Sequence, residues 1–299
     1  PMKPRVLRSR ERGVSLIELM ISMVIGLVIV GAVIVSIVGS SKTGKFQAAY
    51  AQMNEDAQIG FSILSRDIQM AGYSQPTGLV DTAVAPATPT FDLTFTTVTR
   101  SVCGCDNPFT SATVATVSCV ASTPTTAAFE VVYEADTSTT VVTGGLPSDC
   151  LGQSIDVGPP YVARNRYYIA NGASGRPELF CASDKAAASG QPIIENIDSM
   201  IENIDSMKVW YGIPVAASPR QVVRYVSATD VNTAGVAEWD RVISMRICLL
   251  IRSAEPVLNV GDGDTLTYRD CNSTIQTSND RLLRRAYFTT ATLRKNMPF

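Results

Sequence analysis

The 299-residue chain contains no histidine. That removes the commonest general base, the commonest transition-metal ligand, and the base of the Ser–His and Cys–His nucleophile pairs. Charge is missing from one long stretch: after Glu18 no ionisable side chain occurs until Lys42. Proline is missing from a longer one, residues 14–75, so nothing there interrupts a helix by removing an amide donor. No constellation of catalytic side chains emerges elsewhere. The chain is therefore expected not to be an enzyme and to need no cofactor.

What is present begins with the 23 uncharged residues 19–41. At about 1.5 Å per residue they are long enough to cross a bilayer as a helix. Lys3, Arg5, Arg8, Arg10 and Arg12 precede them, against the single acid Glu11. This excess of positive charge places the N-terminus in the cytoplasm and everything after Lys42 outside it. Glu18 at the head of the apolar run is costly, because a carboxylate in lipid persists only with a partner.

Beyond the run, Phe46, Tyr50, Met53, Ala57, Phe61, Leu64, Ile68 and Ala71 recur at spacings of three and four, tracing one face of a continuing helix. Gln47, Gln52, Glu55, Arg66 and Gln69 occupy the opposite face. The spacing predicts one helix over 14–71, stopped by Gly72 with Pro76 soon after. Such a helix is on the order of 90 Å long, too long for one head to bury. Its second half packs one side on the head; its first half needs membrane or other subunits. Gly26, Gly31 and Gly39 each cost up to about 1 kcal/mol relative to Ala. They suit either close helix packing or local unwinding between Gly26 and Gly31.

The remaining two hundred or so residues are enough for one large core or two small lobes. Alternating, β-branched and aromatic stretches predict strands over 91–95, 129–133, 137–143, 161–169, 175–181, 221–226, 242–251 and 281–294. Ile243, Met245, Ile247 and Leu249 share a face, and Trp239 just before them is expected to anchor the core. Residues 98–120 are expected to form a surface region holding Cys103, Cys105 and Cys119. The seven residues 194–200, Ile-Glu-Asn-Ile-Asp-Ser-Met, recur unchanged as 201–207. The isoleucines at 194, 197, 201 and 204 are spaced 3, 4, 3, and an odd repeat would turn its two copies to opposite faces of a strand. A short helix over 193–206 is therefore expected, with a strand from 207.

Seven cysteines in an exported chain point to disulfides with one thiol left over. Cys119 is expected to pair with Cys103 or Cys105, and Cys271 to close on Cys248. Cys103-Gly104-Cys105 has no histidine and no second tight cysteine pair beside it, so disulfide chemistry outweighs metal there. Asp262, Asp264 and Asp270 are weak calcium candidates, since calcium prefers clustered oxygens; a tight hairpin turn is the plainer reading. The arginines 281, 284, 285 and 294 with Lys295 make the only local positive cluster past the leader. A solvated strand edge explains it, and no nucleic-acid partner is expected.

Basic leader, Gly13, Val14 and three further residues, Glu18 and then the apolar run together resemble the class III signal of type IV prepilins and pseudopilins. The resemblance implies that a membrane peptidase cuts between Gly13 and Val14 and methylates the new amine on Val14, where the family usually has Phe. Glu18 falls fifth after the cut, the position of the family glutamate, and its implied partner is the Val14 amine of a neighbouring subunit. Loss of the leader removes five bases and one acid, leaving 20 Lys+Arg against 26 Asp+Glu. Nothing in that balance favours nucleic acid.

Further pieces, the Asp-Cys-x-Gly at 149–152, the Leu-x-Cys at 179–181 and the C-terminal strand, resemble the heads of PilW-type minor pilins. On that resemblance Cys150 pairs with Cys181, closing a loop worth roughly 3–4 kcal/mol. The family pattern has a single segment where this chain has the duplication.

The implied fold is α+β, a long N-terminal helix packed by its second half on an antiparallel β-sheet head braced by disulfides. The implied domains are a leader 1–13, a helix 14–72 (membrane and filament-core part 14–41, head-packing part 42–72), and a periplasmic or extracellular head 73–299. The implied function is that of a minor pilin of a type IV pilus, in the tip or initiation complex that primes assembly for twitching motility and adhesion. Its partners would be other minor pilins, the major pilin, prepilin peptidase, inner-membrane lipid and the pilus assembly platform. It would be single-pass in the inner membrane first and in the extracellular pilus afterwards. A minor pseudopilin of a type II secretion system is the nearest alternative, and a DNA-uptake pilin a more distant one.

Overall fold

The structure, a computed structural model, describes residues 13–80, 88–91, 100–111, 117–121, 125–156, 158–183, 191–192, 202–215, 218, 221–257 and 265–294. The chain forms two compact units, 1–48 and 49–299. A single helix, α1 (Leu16–Met70), begins in the first and ends in the second. It stops at Gly72, whose φ of 73° suits the residue without a Cβ, and the Gly72 N–H donates to the Val132 carbonyl at 2.8 Å.

The strands that follow are β1 (Pro76–Val80), β2 (Thr88–Phe91), β3 (Val102–Cys105), β4 (Ala128–Glu134), β5 (Val142–Thr143), β6 (Leu146–Pro147), β7 (Val162–Asn171), β8 (Pro177–Ser183), β9 (Gln191–Pro192), β10 (Ile204–Ile213), β11 (Arg224–Val226), β12 (Ser244–Arg252), β13 (Leu266–Arg269), β14 (Ile275–Ser278) and β15 (Arg284–Thr292). Two antiparallel sheets dominate. One has five strands in the order β3-β4-β7-β8-β9, the other four in the order β11-β10-β12-β15. The rest pair as hairpins, β1 with β2, β5 with β6 and β13 with β14.

Both sheets and the second half of α1 share one core. Met53, Ala57, Leu64 and Ile68 enter it from the helix; Phe129, Val131, Tyr133 and Tyr167 come from the five-stranded sheet. Met207, Val209 and Tyr211 of β10 and Met245, Ile247 and Leu249 of β12 come from the other. Trp239 is 1% exposed and meets the Tyr211 ring edge-on at 4.7 Å. The expected alternation holds from 245 to 251, where Met245, Ile247, Leu249 and Ile251 face the core; before it Val242 enters the core out of phase, in place of Ile243.

Three expectations fail. The region 98–120 is not simply surface: Val102–Cys105 is a strand with all four residues buried. Its partner β4 is buried along its whole length: on the face that the core leaves open, Ala128 packs with Cys105 and Phe109, Arg164 and Arg166 close on Glu130, and Ser74 and the Gln75 amide on Glu134. The short helix over 193–206 is replaced, from 204 on, by the start of β10; residues 193–201 lie outside the described set. β10 opens with a bulge: its register with β12 shifts between Ile204 and Ser206, so Ile204 and Met207 both reach the core although three positions apart. Of the isoleucines whose spacing predicted the helix, 194, 197 and 201 lie outside the described residues. Finally, the strands expected over 137–143 and 221–226 shrink to Val142–Thr143 and Arg224–Val226.

An unforeseen helix, α2 (Ala228–Ala234), follows β11. Ser227 and Asp230 form a capping box at its start, and Asp106 accepts from the Ala228 and Thr229 amides at 3.2 and 2.8 Å.

Candidate functional site: the helix N-terminus

Gly13 and Val14 are exposed and precede the first turn of α1. The turn closes with the Leu19 N–H donating to the Ser15 carbonyl at 3.1 Å. Glu18 lies in that turn, where the unpaired amides of a helix N-terminus favour negative charge. Among the described residues its carboxylate has no partner in the chain. The Ser22 hydroxyl donates instead to the Glu18 backbone carbonyl at 2.7 Å.

From Leu16 to Val38 every large apolar side chain is exposed, Leu27 to 77%. The helix is long and apolar enough to cross a membrane. A Cβ added at Gly26, Gly31 or Gly39 would meet nothing within 4 Å. The described residues therefore supply no packing reason for these glycines.

The second half of α1 carries buried carboxylates that the apolar spacing did not reveal, and one of them, Asp67, ties it into the head. Asp67 accepts from the Tyr167 hydroxyl at 2.5 Å, the Asn165 amide at 2.6 Å and the Tyr133 hydroxyl at 3.3 Å. Burial raises its pKa, and those three donors pull it back part of the way. Asp56, 5% exposed, has its pKa pushed up to about 7 by burial and then by Glu55 and Glu202. A sequence signal existed: Asp56, Gly60 and Asp67 fall on the same helical face as Met53, Leu64 and Ile68.

The network continues outward. Asn165 accepts from the Cys150 N–H at 3.2 Å, and Cys150 is bonded to Cys181. Asp149 accepts from the Ser183 hydroxyl at 2.5 Å. The other disulfides are Cys105–Cys119 and Cys248–Cys271. Cys103 is the free, buried thiol; burial and the Glu130 carboxylate push its pKa up, so it has little thiolate character. Glu130, also buried, holds Arg164 at 3.0 Å and Arg166 at 2.5 Å.

The remaining candidates are scattered. Asp270 accepts from the Asn272 and Thr274 amides and the Gln276 side chain. Burial alone would raise its pKa, but these donors outweigh it and hold the carboxyl below its usual range. The side chain is spent on a turn. Asp262 and Asp264 lie outside the described residues, and among those described no group of acids and cysteines is arranged to hold a metal ion. The arginine cluster does not form a stripe. Arg284 pairs with Asp205 at 2.6 Å and Asp280 at 2.5 Å, Arg285 lies over the Tyr50 and Tyr287 rings, and Arg294 donates to Gln69. Lys295 is outside the described set.

Comparison with known proteins follows the same division of the chain. Residues 8–38 match the prokaryotic N-terminal methylation motif, and residues 166–295 match the family described as Type IV Pilus-assembly protein W. No curated protein matches. Among solved structures, the type IV-like pilin TTHA1219 from Thermus thermophilus aligns with 12% identity at a TM-score of 0.37, covering 82% of this chain and 97% of its own.

Proposed function

The chain belongs to the PilW-type pilins of the type IV superfamily, and from that premise we propose that it serves as a minor pilin in the tip or initiation complex of a type IV pilus. Membership implies assembly with other pilins, and the apolar N-terminal helix fits membrane anchoring. In our reading the peptidase cuts between Gly13 and Val14 and methylates the Val14 amine. The head then lies outside the inner membrane until the subunit is drawn into the filament.

The observation that carries this reading is an uncovered apolar helix with one carboxylate, Glu18, that has no partner among the described residues, in its first turn. Moving such a helix from lipid into a bundle of like helices gains little hydrophobic energy, because lipid tails are as apolar as leucine. Selectivity must then come from the polar group. A protonated amine on a neighbour's residue 14 offsets the desolvation of Glu18 only in the correct axial register. The large, irregular head suits a position at the end of a filament better than one in a repeating shaft.

The test is Glu18→Ala in the native host. Processing and membrane insertion should remain, while incorporation into sheared surface pili and the number of pili should fall at least tenfold. Normal piliation with E18A subunits recovered in the filament would overturn the role given to Glu18.

A further inference from the structure

The outer face of the four-stranded sheet carries a patch that neither the core nor the helix uses. Strand register fixes its layout. In one row Lys208 lies opposite Cys248, and Cys248 opposite Phe288; in the next Trp210 lies opposite Arg246, and Arg246 opposite Thr290. The hairpin β13–β14, tied down by Cys248–Cys271, packs Tyr268 toward Leu250 and Ala286 and so covers the neighbouring end of the face. The Trp210–Arg246–Phe288 end stays open: Phe288 is 43% exposed and Arg246 is exposed.

The Trp210 and Phe288 rings stack with centroids 6.4 Å apart and planes 25° apart. The Arg246 guanidinium sits 5.8 Å from the first and 5.1 Å from the second. Among the described residues it has no hydrogen bond and no ion pair. Neither row contains a carboxylate. The cations at the covered end are already matched, Arg252 with Asp205 and Arg284 with Asp205 and Asp280. Lys208 donates to Asn272 and lies near Asp270, so among the described residues Arg246 is the cation of this patch left without a polar partner, on a chain whose formal net charge is −2.

Aromatic rings against a guanidinium occupy its faces and leave its edge of N–H donors free. That edge matches a carboxylate bidentately. Tryptophan and arginine together, rimmed by polar side chains, are the composition of interface hot spots. We propose that this patch docks an acidic protein surface, one that brings a carboxylate to Arg246 beside an apolar side chain that packs on Phe288 and Trp210. Two cations, Lys208 and Arg246, are too few to track a phosphate backbone, which favours a protein over nucleic acid. The proposal stands independently of the filament reading.

The test uses the full chain in nonionic detergent and a fluorescein-labelled peptide of alternating Glu and Phe, with binding read by anisotropy. A Gln/Phe peptide, a single-stranded oligonucleotide and a neutral oligosaccharide serve as competing probes. Saturable binding of the Glu/Phe peptide is expected, at least tenfold tighter than that of the Gln/Phe peptide. It should weaken at least tenfold in Arg246→Gln and in Thr290→Glu, and stay unchanged in Arg224→Gln, a cation opposite the inward-facing Ile213 on the sheet edge. Arg246→Gln breaks no hydrogen bond or ion pair, so the head should fold, and an unchanged circular dichroism spectrum checks it. No saturable binding, equal binding of the Gln/Phe peptide, equal loss in Arg224→Gln, or tighter binding of the oligonucleotide or saccharide would each overturn the proposal.

Discussion

Excising residues 194–200 is the most informative single change to the head. Removing either copy of the repeat yields the same chain, so one copy remains to supply what 201–207 now supply. Those contributions are specific. Asn203 adopts φ 73° and its N–H donates to the Pro177 carbonyl at 2.8 Å; Ile204 and Met207 enter the core; Asp205 pairs with Arg252 and Arg284. The described residues on either side of the segment, Pro192 and Glu202, are close. Pro192 sits opposite Phe180 on β8, and Glu202 bridges to Glu178. The other edge of β8 is taken by β7, so both contacts lie on one edge, two strand positions or about 7 Å apart. Two linking residues can span that gap, with one forming a bulge. Reducing the connection from nine residues to two is about two halvings of loop length, each worth roughly 0.6 kcal/mol. The bulge offsets part of this. The excised chain is expected to match the parent or exceed it by up to about 1 kcal/mol in urea unfolding. Intrinsic fluorescence is well placed to follow it, because Trp210 lies on β10 and Trp239 packs on Tyr211 of the same strand. A loss of more than about 2 kcal/mol would refute the reasoning, by showing that the first copy makes contacts the head depends on.

Asp56→Asn tests the buried helix carboxyl. Its folded pKa lies near 7, above its ordinary 3.8, so the stability it contributes is fully present below about pH 4 and is lost as pH rises through 7. The whole shift would be worth about 4 kcal/mol, which relaxation and water entry around the ionised carboxylate reduce to about 1–2 kcal/mol. The Asn variant should therefore gain about 1 kcal/mol over the parent between pH 5 and pH 8 in thermal melts; a difference that does not change with pH contradicts the assignment. Replacing Cys150 and Cys181 by Ser opens a link across a sequence separation of 31. In the chain-entropy model that costs about 3–4 kcal/mol, read as a lower urea midpoint under non-reducing conditions, and a change under about 1 kcal/mol would contradict it.

The helix was the most legible element, because its signals agree at every level: no proline, one apolar stripe, and a glycine at the stop. Its buried acids were not legible, since an aspartate on an apolar face looks like an interruption until Tyr133, Asn165 and Tyr167 are known to converge on it. The inward face of β12 was legible from strict alternation. The start of β10 was not, because the isoleucines at 194, 197, 201 and 204 run up to it at the spacing of a helix. Strand β3 was missed because Val102, Cys103 and Gly104 show no alternation; the strand is covered on both sides, and a doubly buried strand has none to show. Helix α2 carried a readable signature in Ser227 and Asp230, but its surroundings are short and polar, and its position depends on Asp106, more than a hundred residues away. Asp270 looked like a cation ligand in sequence and is a turn-former in space, since backbone amides within four residues take up its carboxylate.

The central claim is that this is a processed pilin, and the intact mass of the membrane-extracted protein tests it most directly. The measurement is made in a host with its prepilin peptidase and in one without. The account predicts loss of residues 1–13 and gain of the mass of one methyl group on Val14, only where the peptidase is present. An uncleaved mass in both hosts would contradict it, and would leave α1 as a plain anchor for the head.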